Sequence, residues 1–118
     1  MHAFKLYTAE DNASHLLEGT LTLGRHADVN AVHFEESPPH SNLDCHDAPA
    51  SQYVITLAGT LEFTTRDGET FIIRPGDVLV ATDNVGSGHK WRLIGDAPWW
   101  RCYVVMETGV EELFAAKE

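Results

Sequence analysis

Residues 46–59 read HDAPASQYVITLAG, and His46, six positions ahead of Gln52, makes the first pairing in the chain able to do chemistry. An imidazole nitrogen binds transition metals and moves protons near neutral pH, and a carboxamide oxygen is a neutral, weaker donor. In one continuous strand, residues an even number apart share a face, so His46 and Gln52 would point the same way. Pro49 interrupts the stretch and leaves that parity open. From Gln52 onward the alternation is clear: Gln52, Val54, Thr56 and Ala58 share a face suited to a barrel interior. Tyr53, Ile55 and Leu57 share the more apolar face, which is expected to pack against another sheet. Cys45 stands beside His46, but strand neighbours point to opposite faces and a nucleophile needs its base within hydrogen-bond reach. That pair is not expected to act as one.

Seven histidines are many for 118 residues, and most read as ordinary surface. His33 lies in AVHFEE, with Val32 and Phe34 facing opposite to it. If those two fill the core, His33 points outward, away from any ligand set, and Glu35 and Glu36 form a solvated face. His2, His26 and His40 sit in segments that read as surface or loop. The NVGSG ahead of His89 marks a flexible turn; it lacks the helix and lysine of a phosphate loop. Trp91, two residues after His89, is expected to share its face and wall a pocket, whereas Trp99, Trp100, Tyr53 and Tyr103 read as core and subunit contacts. Asp83 has two readings held equal, a carboxylate that orients His89 or an Asx-type turn.

Short β-rich runs must position these groups. They fall at 19–24, 30–36, 51–59, 60–65, 69–74, 77–82, 89–95 and 99–107, separated by turn residues. RDGE at 66–69 predicts a hairpin between 60–65 and 69–74 through a type I′ turn at Asp67-Gly68. RPGD at 74–77 predicts a type II turn with Pro75 and Gly76 at its centre. Thr108 followed by Glu111 fits a capping box, so a short helix is expected over roughly 109–117, docking through Leu113 and Phe114. The length suits a single domain spanning 1–118, and closure into a barrel or sandwich would protect strand edges.

A formal net charge of −10 argues against nucleic acid or anionic lipid as partners. No apolar stretch is long enough to span a bilayer, and the first residues do not resemble a secretory signal. Cys45 and Cys102 form no C-x-x-C unit, so two reduced thiols in a cytoplasmic protein are expected.

HDAPASQYVITLAG together with RPGDVLVATDNVGSGHKW resembles the two motifs of the cupin superfamily. The match is closer still to small bacterial cupins of poorly defined function, through His46, Ala48, Pro49, Gln52, Pro75, Gly76, Asp77, Asp83, Gly86, Gly88 and His89. Ser14-His15 also looks similar to that subgroup, and the likeness runs roughly from residue 7 to 106. It implies an all-β, antiparallel β-barrel or jelly roll over roughly 18–107, usually a homodimer. It also implies a site in which Gln52 takes the place of the usual glutamate and His89 that of the second-motif histidine. His46 matches the first histidine, while Ala48 or Asp47, depending on alignment, stands where the next one belongs. The subgroup's arginine pair is replaced by Ala50 and Ser51, and Cys45 stands where an aromatic residue is usual.

On that resemblance His46, Gln52 and His89 form a reduced ligand set for one divalent transition metal (Fe, Zn, Ni or Mn), or for none. His89 and His46 are the catalytic candidates, and Trp91, Asp83 and His15 the residues expected to meet a small polar ligand. Three functions follow: a metal-dependent enzyme, a metal-free acid–base isomerase or epimerase, and a non-catalytic ligand-binding module.

Overall fold

A computed structural model describes residues 1–46 and 48–117. Its strands are β1 (His2–Thr8), β2 (Ser14–Leu21), β3 (Val29–Ser37), β4 (Asn42–His46), β5 (Gln52–Ala58), β6 (Thr60–Thr65), β7 (Thr70–Ile73), β8 (Val78–Ala81), β9 (His89–Ile94), β10 (Trp99–Met106) and β11 (Phe114–Ala116). A seven-stranded sheet runs β11-β2-β1-β8-β5-β10-β3 and faces a four-stranded sheet, β4-β9-β6-β7. Strand pairing is antiparallel apart from β1 with β8, which is parallel. Among the described residues the ladder does not pass from one sheet to the other, so of the expected barrel or sandwich the structure forms the two-sheet sandwich and not a closed barrel.

Between the sheets lies the main core. Phe4, Leu6, Val54 and Leu79 of the large sheet meet Leu61, Phe63, Phe71 and Ile73 of the small one. Each such side chain removed from water contributes about 1.5–3 kcal/mol, so this layer holds the sheets together. A second apolar cluster lies on the outer face of the large sheet, where Tyr53, Val78 and Val80 carry Ile55, Val104, Leu113 and Phe114. The predicted facing of β5 is therefore half right. Gln52, Val54 and Thr56 point inward, but Tyr53 and Ile55 lie under the chain's C-terminal segment rather than under a sheet, and Leu57 is exposed.

The hairpin 60–65/69–74 forms with Leu61 opposite Ile73 and Thr64 opposite Thr70. Its turn differs from expectation. Gly68 has φ 94°, while Asp67 is not among the residues of positive φ, so a type I′ pair is excluded. Instead Gly68 N–H donates to Thr65 O (3.0 Å) and Thr65 N–H to Glu69 O (2.8 Å), the three-residue loop in which glycine alone takes the left-handed position. At RPGD, Gly76 has φ 93° and Asp77 N–H donates to Arg74 O at 3.0 Å, as a type II turn requires.

The helix expected over 109–117 is not formed. Gly109, at φ 82°, turns the chain out of helical geometry, and Phe114–Ala116 instead adds β11 to β2. Tertiary contact overrides the capping-box signal here. Leu113 and Phe114 cover the outer apolar cluster, Lys5 pairs with Glu112, and Leu113 N–H donates to Tyr53 Oη at 2.8 Å. The approach needs Gly19, because a Cβ there would stand 2.1 Å from Ala115 O.

Candidate functional site

The two sheets open at one end into a cavity of about 340 Å³. His46 and Gln52 both line it, but not from one strand. Pro49 lies in the crossing that separates them: His46 ends β4 in the small sheet, and Gln52 begins β5 in the large one. They reach the same space from opposite walls. Ala48 N–H donates to Asp83 O at 3.0 Å, which ties this crossing to the loop after β8. Ala48 is buried in the main core, so a methyl lies there, and Asp47, the other residue aligned with the missing histidine, is outside the described residues.

His89 opens β9 and is the cross-strand partner of His46, beyond an irregularity in β4 between Leu43 and His46. Such a bulge re-aims a side chain and lets two neighbouring strands present both rings to one space. The ring centroids are 4.5 Å apart at an interplanar angle of 61°. Each ring is held through Nδ1. His46 Nδ1–H donates to Asp44 O at 2.9 Å, and His89 Nδ1 lies 2.6 Å from Asp83 Oδ2. Asp83 is fully buried, and Oδ2 also accepts from Ser14 Oγ–H at 2.7 Å. Asp83 thus stands behind His89 and, contrary to the expectation that it meets a ligand, does not line the cavity; its Oδ1 is buried without a partner among the described residues. Nε2 of both imidazoles, and the amide of buried Gln52, have no hydrogen-bond partner among the described residues. The two adjacent imidazole nitrogens are donors of the type that suits a divalent transition metal, and the Gln52 amide lines the same cavity from the facing sheet.

Trp91 lines the cavity from the face it shares with His89 and meets Trp99 edge-on at 4.7 Å. His15 is elsewhere. It lies on the surface between Asp11 (2.8 Å) and Glu69 (3.1 Å) and does not line the cavity. Asp11, His15 and Asp67 come together there. The hydrogen bond to Asp11 raises the His15 imidazole above its ordinary value, against partial desolvation. The same bond, with a second from Ala13 N–H, holds the Asp11 carboxyl below its own.

Three cavity residues go beyond the sequence reading. His33 does not point away from the site, and its neighbours Val32 and Phe34 do not fill the core; they are exposed. His33 and Glu35 turn to the cavity side of β3, where His33 stacks on Tyr103 at 4.8 Å and 18°. Beside them Arg101 is nine-tenths buried, its Cζ 3.9 Å from the centroid of Trp99. Nε–H donates to Tyr103 Oη at 2.9 Å, and Nη1 donates to Ser37 Oγ and Trp99 O at 3.0 and 3.3 Å. Strand parity supplied a signal for this cluster, because Trp99, Arg101 and Tyr103 alternate along β10.

No family model matches the chain, and no curated protein matches it. Among solved structures, a cupin-like protein from Thermotoga maritima aligns over 98% of this chain and 77% of its own, at 19% identity and a TM-score of 0.53. A conserved protein of unknown function from Streptococcus pyogenes aligns over 66% of this chain at 19% identity and a TM-score of 0.49; the chain spans 65% of its length. The Thermotoga structure shows that this chain has a cupin-like fold. No helix among the described residues is long and apolar enough to cross a membrane.

Proposed function

From a cupin-like fold as premise, we propose that the chain binds a small molecule in the inter-sheet cavity and holds a divalent transition metal at its wall through His46, His89 and Gln52. One observation carries the reading: two adjacent imidazoles are each anchored through Nδ1, which leaves both Nε2 atoms for a common ligand. A carboxylate or carbonyl on the far nitrogen fixes the ring and raises its basicity as a ligand, and Asp83 and Asp44 O supply those partners. Bound there, the ion would supply Lewis-acid polarisation, or oxygen chemistry if it is redox-active. The chain's own residues hold the ligand and exclude water, with Trp91 closing one wall.

The test is elemental analysis of untagged protein beside His46→Ala and His89→Ala. About one metal per chain, lost in both variants, is expected; a metal-free protein that also refuses reconstitution overturns the reading. The Asp83–His89 hydrogen bond equally favours a second reading, metal-free acid–base chemistry on His89 or His46. That reading requires turnover undiminished by chelator, whereas a binding module would show ligand-induced stabilisation without turnover.

The reading extends to a homodimer. β3 is an edge strand, and Val32, Phe34, Leu57 and Trp100 are exposed large apolar residues on β3 and the two strands next to it. A second copy would cover them. Sedimentation should give a dimer for the wild type and a monomer for Phe34→Glu; a monomeric wild type at high concentration removes this part of the reading.

A further inference from the structure

The geometry points to a carboxylate as the ligand's anchoring group, held by Arg101 and Tyr103 at the wall formed by β3 and β10; this rests on the cavity being the small-molecule site. A guanidinium taken out of water normally requires an anion. Among the described residues Arg101 has none, with no carboxylate oxygen within 4.0 Å, although it is only 9% exposed. Glu35 is its cross-strand neighbour, yet the Glu35 carboxylate leans towards His33, at 3.9 Å from Nε2. Neutral groups and rings surround the cation instead. Tyr103 Oη, Ser37 Oγ and Trp99 O take up Nε and Nη1, and the Trp99 and Tyr103 rings lie 3.9 and 5.5 Å from Cζ.

These contacts leave a defined set of donors. A guanidinium carries five N–H groups, and the two on Nη2 have no partner among the described residues. Nη2 is not sealed off, since Asp83 Oδ1 is the buried side-chain polar atom without a partner among the described residues, and Arg101 lines the cavity. Tyr103 accepts from Arg101 through its oxygen, so its own hydroxyl proton is free to donate. A carboxylate can therefore take one bond from Nη2–H and one from Tyr103 O–H. The stacked His33 ring steadies the phenol. Charge-assisted bonds of this kind are the strong ones, and the low dielectric of a half-closed cavity strengthens them further.

The rest of the cavity sets the class more narrowly. Phe63, Trp91 and Trp99 form its interior walls. The Phe63 ring centroid lies 6.0 Å from that of His89 and 6.1 Å from that of Trp99, so Phe63 adjoins both the histidine pair and the Trp99–Arg101 wall. The ligand is thus a small organic acid, apolar or aromatic in its body, with its carboxylate at Arg101 and its other end towards the histidine pair. The net charge of −10 disfavours anions over the outer surface, so binding has to be local to this cation.

Phenylacetate and hexanoate, with their amides as neutral controls, test this on chelator-treated wild-type protein, where a metal cannot serve as the anion site. The readouts are calorimetric affinity and NMR shifts of the Arg101 Nε–H and Trp99 Nε1–H. Acids should bind at least ten-fold more tightly than amides and move both signals. Arg101→Gln should lose about ten- to a hundred-fold of acid affinity and much less of amide affinity, and Tyr103→Phe several-fold of acid affinity. Equal binding of acids and amides overturns the proposal but leaves the cavity as a binding site. Acid binding that moves neither signal, or no acid binding at all, overturns it as well. Metal content of the same preparation, measured before chelation, reports separately on the histidine site.

Discussion

Of the histidine–aspartate pairs among the described residues, the two shortest have almost the same length in different surroundings. His89 Nδ1 and Asp83 Oδ2 are 2.6 Å apart, with side chains 5% and 0% exposed. His15 Nε2 and Asp11 Oδ2 are 2.8 Å apart, with side chains 28% and 55% exposed. The contact is alike; the energetics are not. At the surface, water competes for both partners and salt screens them. In the interior nothing replaces a lost partner, so the buried pair fixes one ring in one orientation, and the exposed pair biases a side chain that solvent also serves. The first can position chemistry, and the second adjusts stability with pH.

Removing the buried carboxylate should have the largest effect. Asp83→Ala strands both the His89 Nδ1–H and the Ser14 hydroxyl, and a loss on the order of 3 kcal/mol is expected in urea unfolding. A loss below that of an ordinary surface substitution would put the two pairs in one class. Ser14→Ala removes a single donor to Asp83 Oδ2 and should cost about 1 kcal/mol by the same measurement. The smallest and most pH-dependent effect belongs to Asp11→Asn. His15 is raised from 6.5, so its contribution is full below that value and is lost as pH rises through the raised one. Asp11 is lowered from 3.8, so its contribution is full above that value and is lost as pH falls through the lowered one. Both act between those limits. Melting temperatures of wild type and Asp11→Asn should therefore differ more at about pH 5 than at about pH 8. A difference independent of pH would mean that the pair does not titrate through its contact.

What was legible in the sequence follows the range of each interaction. Local turn chemistry located the 60–65/69–74 hairpin and the 74–77 turn, because glycine and proline act within four residues. The alternation of Gln52, Val54 and Thr56 gave the inward face of β5. Parity could pair residues on a face but could not say which face turns inward. On β3 it failed for a physical reason: neither apolar cluster includes a β3 residue, so burial does not set the sidedness of that edge strand. Register with β10 does, bringing His33 opposite Tyr103 and Glu35 opposite Arg101. The His46–His89 pairing was out of reach of strand periodicity, because it joins strands far apart in sequence across a bulge. The resemblance suggested that these residues share a site; only the ladder shows them as neighbours. The C-terminal helix failed because a local capping signal competed with an apolar face that could be covered only from afar.

The docking of β11 against Gly19 has a consequence for how the protein is made. Residues 114–116 leave the ribosome after β1 to β10, yet their partner strand is β2, and the apolar outer face they help to shield is carried largely by β5, β8 and β10. A nascent chain can assemble the inter-sheet core while Tyr53, Ile55 and Val104 are still uncovered, so an adhesive surface persists until β11 arrives. Such long-range closure is slow compared with hairpin formation. The time between release and docking of those three residues is then the interval in which a newly made molecule is most open to aggregation or to capture by a chaperone.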